Sequence, residues 1–190
     1  MAVEKGIVYF AERGEGNTDK TLEAAKRRAE ELGIRDIVVA STRGGTGVKA
    51  VEVFKGYNVV VVTHSTGFRE PGKQELGEEA AEKIRRGGGK ILTTGHAFAG
   101  VDRAVRRKFE TVGPAEIIAQ TLRLLGQGMK VCVECVAMAA DAGLIPADRD
   151  VISISGSGRG ADTAVVIKPA NSNRLFDLYV REIIAKPLSP

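Results

Sequence analysis

Ile37-Val38-Val39-Ala40-Ser41-Thr42-Arg43-Gly44-Gly45-Thr46-Gly47 organises the chain. A short β-branched run suits a buried strand, and it passes directly into hydroxyls, an arginine and three glycines before a helical pattern starts at Val48. By composition this is a turn that holds phosphate. Glycines let the backbone bend with its N–H groups turned inward, Ser41, Thr42 and Thr46 add hydroxyls, Arg43 adds a charged fork, and a following helix adds the positive end of its dipole. No Gly-Lys-Ser/Thr closes the turn, so it is not a Walker A loop, and Gly-x-Gly-x-x-Gly is missing from it. The other reading of Gly44, Gly45 and Gly47 is close packing of helix on strand.

Working outward, Val59-Val60-Val61-Val62-Thr63 is uninterrupted and β-branched, the pattern of a central parallel strand covered on both faces by helices. It ends in His64-Ser65-Thr66-Gly67. Lys90 to Thr94 repeats the arrangement and ends in Gly95-His96, and Ile7 to Phe10 ends in Glu12 to Gly16. Helical spacing is expected from Leu22 to Leu32, over roughly 48–54, 74–86, 101–109 and 117–125, and in an almost wholly apolar stretch from Met129 to Ala142. Val151 to Ser155 and Thr163 to Lys168 read as strands. The interval Gly156 to Asp162 is too short for a crossover helix, so this pair is antiparallel or joined around a wide loop. An amphipathic helix is expected over Leu175 to Ile184. If the first four strands are parallel, their polar exits lie on the edge where open α/β sheets bind ligands.

At 190 residues and 20.2 kDa the chain suits one domain, 1–190. A net charge of +4 from 28 basic and 24 acidic residues is compatible with an anionic ligand and too dispersed to argue for nucleic acid. The first residues lack a signal-like apolar region and no run is long enough for a bilayer, so a cytoplasmic protein with no membrane contact is expected. Cys132 and Cys135 sit among apolar neighbours, as buried thiols do.

His64 and His96 both follow strands, where they serve as ligand donors, as acid/base groups or as ordinary hydrogen-bonded loop residues. Spacing offers them no third metal ligand. Glu134 and Asp141, seven apart in the apolar stretch, are expected on one face with partners in Arg43, Arg159 or backbone N–H groups of the glycine loops. Phe68, Phe98 and Tyr9 offer rings to a planar ligand or to the core. The basic run Arg103, Arg106, Arg107, Lys108 lacks interleaved aromatics and reads as a solvated face. The two apolar segments, 129–142 and 175–184, raise the expectation of a homo-oligomer.

Ile37 to Thr63 resembles the C-terminal domain of pyruvate kinase, in which a strand is followed by a Ser/Gly/Thr phosphate loop, a helix and a valine-rich strand. Asp150 to Lys168 resembles the last two strands of that domain and the loop between them. Nearly the whole chain is similar to a small archaeal family of stand-alone proteins of this kind, through Val38 to Gly47, Glu70-Pro71-Gly72, Gly126 to Pro146 and Gly156 to Asn171. The resemblance implies an α/β/α sandwich with a mostly parallel sheet and an antiparallel edge strand. It also implies a regulatory or ligand-binding domain, since many pyruvate kinases hold a phosphorylated sugar effector there. Carried over, Ser41, Thr42, Arg43, Gly44, Gly45 and Thr46 hold phosphate, and Ser155, Gly156, Ser157, Gly158, Arg159 and Gly160 close on the ligand, with His64, Gly95 and His96 on the same edge. Flavin mononucleotide (FMN) is the cofactor the resemblance suggests. Kinase activity is not expected, and a flavin-dependent oxidoreductase or another enzyme of phosphorylated small molecules is the alternative to a binding module.

Overall fold

A computed structural model describes residues 2–189. The strands are β1 (Val8–Phe10), β2 (Asp36–Ala40), β3 (Asn58–Val62), β4 (Lys90–Leu92), β5 (Val151–Ser155), β6 (Thr163–Lys168) and β7 (Tyr179–Pro187). The helices are α1 (Thr18–Leu32), α2 (Gly45–Val53), α3 (Glu78–Arg86), α4 (Gly100–Phe109), α5 (Pro114–Arg123) and α6 (Gln127–Asp141). One sheet runs in the order β1-β7-β6-β5-β2-β3-β4. β5, β2, β3 and β4 are mutually parallel, and β1 is parallel to β7. β6 runs against both its neighbours, on the flank of the sheet away from β4. The short β5–β6 connection gives that reversal, the first of the two arrangements the sequence leaves open. Every strand but β6 therefore presents its C-terminal end at one edge, and all five polar exits are brought to it.

Successive strand residues point to opposite faces. Ile37, Val39, Val59, Val61, Ile152 and Ile154 pack with Leu22 and Ala25 of α1, Phe54 just after α2, and Ile84 of α3. Val38, Val60, Val62, Val151, Val165 and Ile167 pack against Met129, Cys132 and Val136 of α6 and Ala119 of α5. These strand residues are at most 3% exposed, each side chain contributing roughly 1.5–3 kcal/mol by leaving water. A valine ladder with no polar face needs helices on both sides, and the result is an α/β/α sandwich.

Three expectations change. Leu175 to Ile184 is not a helix: a 3-10 turn, Ser172–Asp177, leads into β7. The β-branched Val180 and Ile183, opposite Ile167 and Val165, pair better with the open edge of β6 than they would pack on a helix. α3 starts at Glu78 and not near Gln74, and the non-helical 74–77 lies beside the site described below. α2 starts at Gly45 and not at Val48, so its N-terminus is inside the glycine turn. Twelve of the fifteen residues of α6 are buried in this one chain, which accounts for its apolar composition without a partner copy. No helix among the described residues is long and apolar enough to cross a membrane.

Candidate functional site

The turn after β2 begins where Ser41 N–H donates to Val62 O at 2.9 Å, the last ladder bond to β3. Ser41 is buried, and its Oγ accepts the Gly47 N–H at 3.0 Å, capping α2 from six residues back. Gly44 caps α2 with φ 92°, a left-handed conformation that favours glycine. A Cβ there would fall 2.4 Å from Ala80 Cβ and 2.8 Å from Leu76 Cδ1, so the turn is pressed against α3 and the segment before it. The backbone N–H groups of Thr42, Arg43, Gly44, Gly45 and Thr46 have no acceptor among the described residues. Such a run costs stability unless water or a ligand accepts from it. A Cβ on Gly45 meets nothing within 4 Å, and Arg43 is exposed with no ion-pair partner among the described residues. Close packing and anion holding, the two readings of these glycines, divide by position: Gly44 and Gly47 pack, while Gly45 opens to solvent.

On the neighbouring exit, His64 Nδ1 lies 2.6 Å from Glu75 Oε2, and Arg69 Nε lies 3.0 Å from Glu75 Oε1. Burial lowers the His64 pKa below the ordinary imidazole value, against the pull of Glu75. His96, on the β4 exit, has its ring 5.4 Å from that of His64. Its Nδ1 is 3.6 Å from Glu134 Oε2, and its Nε2 accepts the Ser65 N–H at 3.4 Å. Phe68 stacks 3.9 Å from His64 and 5.0 Å from His96, with the Arg103 guanidinium 4.4 Å over its ring.

Glu134 and Asp141 do not act together and neither pairs with Arg43 or Arg159, though each accepts a backbone N–H, Glu134 from the loop that follows Gly95. Glu134 is buried and pairs with Lys130, while its Oε1 accepts the Phe98 N–H at 2.9 Å. Burial pushes its carboxyl up, but the hydrogen bond with His96 and the charge of Lys130 outweigh that and hold it at about 2. Asp141, at the exposed end of α6, accepts from Asn171 Nδ2 and Ser172 N. Seven residues are two turns of helix, yet α6 passes from the interior to solvent over that length.

The β5–β6 loop begins at a strand end that is turned inward. Ser155 is fully buried, donating to Gly128 O at 2.6 Å and lying 3.1 Å from Cys132 Sγ. Buried Asp162 accepts from Gly14 N, Ser157 N, Ser157 Oγ and Thr163 Oγ1, at 3.0, 3.1, 3.3 and 2.8 Å. Gly156 and Gly160 serve close approach: a Cβ would fall 2.4 Å from Gly160 O in the first case and 2.4 Å from Thr18 Oγ1 in the second. Gly158 and Arg159 are exposed at the tip. Cys132 and Cys135 are buried, and loss of water raises both thiols, Cys132 to about 11.

Gly95 borders a hollow of ≈ 340 Å³ with Thr94, Met138 and Asp141. A larger one of ≈ 740 Å³ lies between the N-terminal segment, α1 and β7. Neither includes Ser41 to Thr46. Sequence reasoning missed Glu75, Arg69, Lys130 and Asp162: the Glu75 and Arg69 pairing depends on the non-helical segment before α3 and Asp162 reaches Gly14 across 148 residues, whereas the i,i+4 spacing of Lys130 and Glu134 was a local signal that could have found that pair.

Residues 19–167 match the family model described as pyruvate kinase, alpha/beta domain. The chain belongs to that family. Among solved structures, it is similar to a Cryptosporidium parvum pyruvate kinase, with 13% identity and a TM-score of 0.40 over 78% of this chain and 22% of that one. A structure of Cryptosporidium parvum pyruvate kinase in complex with ADP gives 15% identity and a TM-score of 0.39, over 86% of this chain and 24% of that one. The chain thus spans about a quarter of the length of these enzymes. The family match covers β2, α2 and β3, and with them the glycine turn and His64.

Proposed function

We propose that this member of the pyruvate kinase alpha/beta domain family is a binding or regulatory module for a phosphorylated small molecule, held at the turn from Ser41 to Thr46. The observation that carries the reading is the run of five backbone N–H groups without an acceptor, at the N-terminus of α2, with Arg43 beside it. Charge-assisted hydrogen bonds from such donors contribute about 1.5–3 kcal/mol each before the phosphate's desolvation is counted. FMN is the first ligand to try. Its phosphate suits the five donors, and Phe68, stacked with His64 and His96, offers an aromatic surface near the same edge for the ring. A cytoplasmic setting and a ligand shared with no nucleic acid or membrane complete the reading, and the homo-oligomer raised by the apolar segments 129–142 and 175–184 loses the support of the first, because α6 is buried within one chain.

Calorimetry with FMN and riboflavin tests it. Wild type should bind FMN at least tenfold tighter than riboflavin, and Arg43→Ala should weaken FMN about tenfold while leaving riboflavin unchanged. Equal affinities in wild type, or equal losses in the variant, remove the phosphate from the turn. A second reading, an enzyme acting on a phosphorylated small molecule, is favoured by the His64–Glu75 pair on the adjacent exit.

A further inference from the structure

We propose that His64, held by Glu75, is a general acid–base group and that the chain catalyses proton transfer on a phosphorylated carbonyl compound. The phosphorylated part of this substrate class rests on the reading of Ser41 to Thr46 given above; the acid–base part stands on the histidine cluster itself.

The two histidines of the edge are held differently. His96 has both ring nitrogens engaged, Nδ1 toward Glu134 and Nε2 by the Ser65 N–H. His64 has one engaged. Glu75 is fixed at both oxygens, by Arg69 at Oε1 and by His64 at Oε2, and a carboxylate paired with a guanidinium is a hydrogen-bond acceptor. The ring proton of His64 therefore sits on Nδ1, and Nε2 keeps its lone pair with no partner among the described residues. Phe68, with Arg103 above it, covers a face of the imidazole against water. Burial adds to this by keeping the ring neutral near pH 7, the form a base requires.

The same segment fixes both halves of the site. Glu75 orients His64, and its neighbour Leu76 packs on Gly44 of the phosphate turn. Ser41 and Val62, the residues from which the two exits depart, are joined by a hydrogen bond. A substrate whose phosphate lies on the turn thus has its carbon chain beside the exit that carries the base.

The chemistry needs no further reagent. Nε2 takes a proton from the hydroxyl-bearing carbon next to the carbonyl, the C–H electron pair forms the C=C bond of an enediolate, and the carbonyl π pair moves to its oxygen. Return of a proton from Nε2 to the same carbon reverses the step with solvent exchange, and return to the former carbonyl carbon, with the hydroxyl proton passing to the other oxygen, gives the isomer. Glu75 stabilises the imidazolium between the two transfers. The charged and titratable groups around the cluster are Glu75 and Arg69 on its own loop, His96 after β4, Arg103 of α4, and Lys130 with Glu134 on α6.

The probe is dihydroxyacetone phosphate in D2O, with loss of its methylene signals followed by proton NMR. Wild type should accelerate exchange roughly 100-fold over the same concentration of imidazole. The rate should rise with pH through a transition below the ordinary imidazole range and then level. His64→Gln should return it to the imidazole rate, and Glu75→Gln should lower it about tenfold and shift the transition, both with inorganic phosphate affinity unchanged. Nitrogen-15 NMR of wild type, independent of any variant, should show His64 as the Nδ1–H tautomer. Exchange at the imidazole rate by protein that binds inorganic phosphate overturns the proposal and leaves the phosphate reading standing. Exchange undiminished in His64→Gln, or an Nε2–H tautomer, overturns it as well. Exchange that depends on His64 without any binding of inorganic phosphate keeps the acid–base group and removes the phosphate reading.

Discussion

The turn after β2 and the loop after β5 leave paired parallel strands at the same edge of the sheet, and both are rich in glycine and hydroxyls with one exposed arginine. They differ in whether the chain supplies an anion. Around the β5 loop, Asp162 takes hydrogen bonds from Gly14, Ser157 and Thr163 and fills the concavity from inside. After β2 no carboxylate among the described residues does this, and the five N–H groups from Thr42 to Thr46 have no acceptor among them. A glycine-rich turn holds a ligand only if its own sequence has not already provided the acceptor, because backbone donors are satisfied by whichever anion is permanently at hand.

The largest effect is expected from removing that internal anion. Asp162→Ala strands Gly14 N–H, Ser157 N–H and the Thr163 hydroxyl in a buried or part-buried setting, at about 3–5 kcal/mol, with a fall in Tm of roughly 6–20 °C for a chain of this size. Thermal melts should then show inorganic phosphate restoring more of the loss in Asp162→Ala than it adds to wild type, since the emptied loop becomes a second anion cradle. If phosphate raises both melting points equally, the two turns do not share this logic.

Next in size is the packing of the β2 turn on α3. Gly44→Ala combines φ 92° with a contact 2.4 Å from Ala80 Cβ, and should cost about 2–3 kcal/mol in urea unfolding. Gly45→Ala, built into open space, should stay within about 0.5 kcal/mol of wild type. Similar losses at the two positions would mean that the open side of the turn is closed in solution.

The fold was legible because valine runs such as 59–62 admit few arrangements: no polar face means helices on both sides, and an interval as short as Gly156 to Asp162 favours an antiparallel pair. Polar residues at strand ends marked the ligand edge for the same reason. The tail was misread because Leu175, Leu178 and Tyr179 fit helical spacing, whereas the open edge of β6 is a tertiary fact with no trace in that segment. The site was legible only by residue type. Ser41 to Thr46 and Ser155 to Gly160 look alike in composition, and the difference lies in Asp162 closing on Gly14 across 148 residues. Glu75 was invisible as a partner of His64 because their pairing depends on an irregular segment that ends before α3.

The smallest expected effect tests the comparison at its most similar point, the two exposed arginines. Arg43 sits beside five donors without an acceptor, so its charge adds to a site that lacks a negative group. Arg159 sits at the tip of a loop whose anion is Asp162, and it has no ion-pair partner among the described residues. What separates the two is the internal anion of the β5 loop, since exposed charges are screened over about 8 Å at physiological salt. Arg159→Ala should therefore leave stability within about 0.5 kcal/mol and FMN affinity within twofold of wild type, under the same calorimetric conditions in which Arg43→Ala loses about tenfold. A loss at Arg159 matching that at Arg43 would mean that the ligand spans both turns. The β5 loop would then close over it from outside, with Asp162 serving as the hinge post that holds the loop in place.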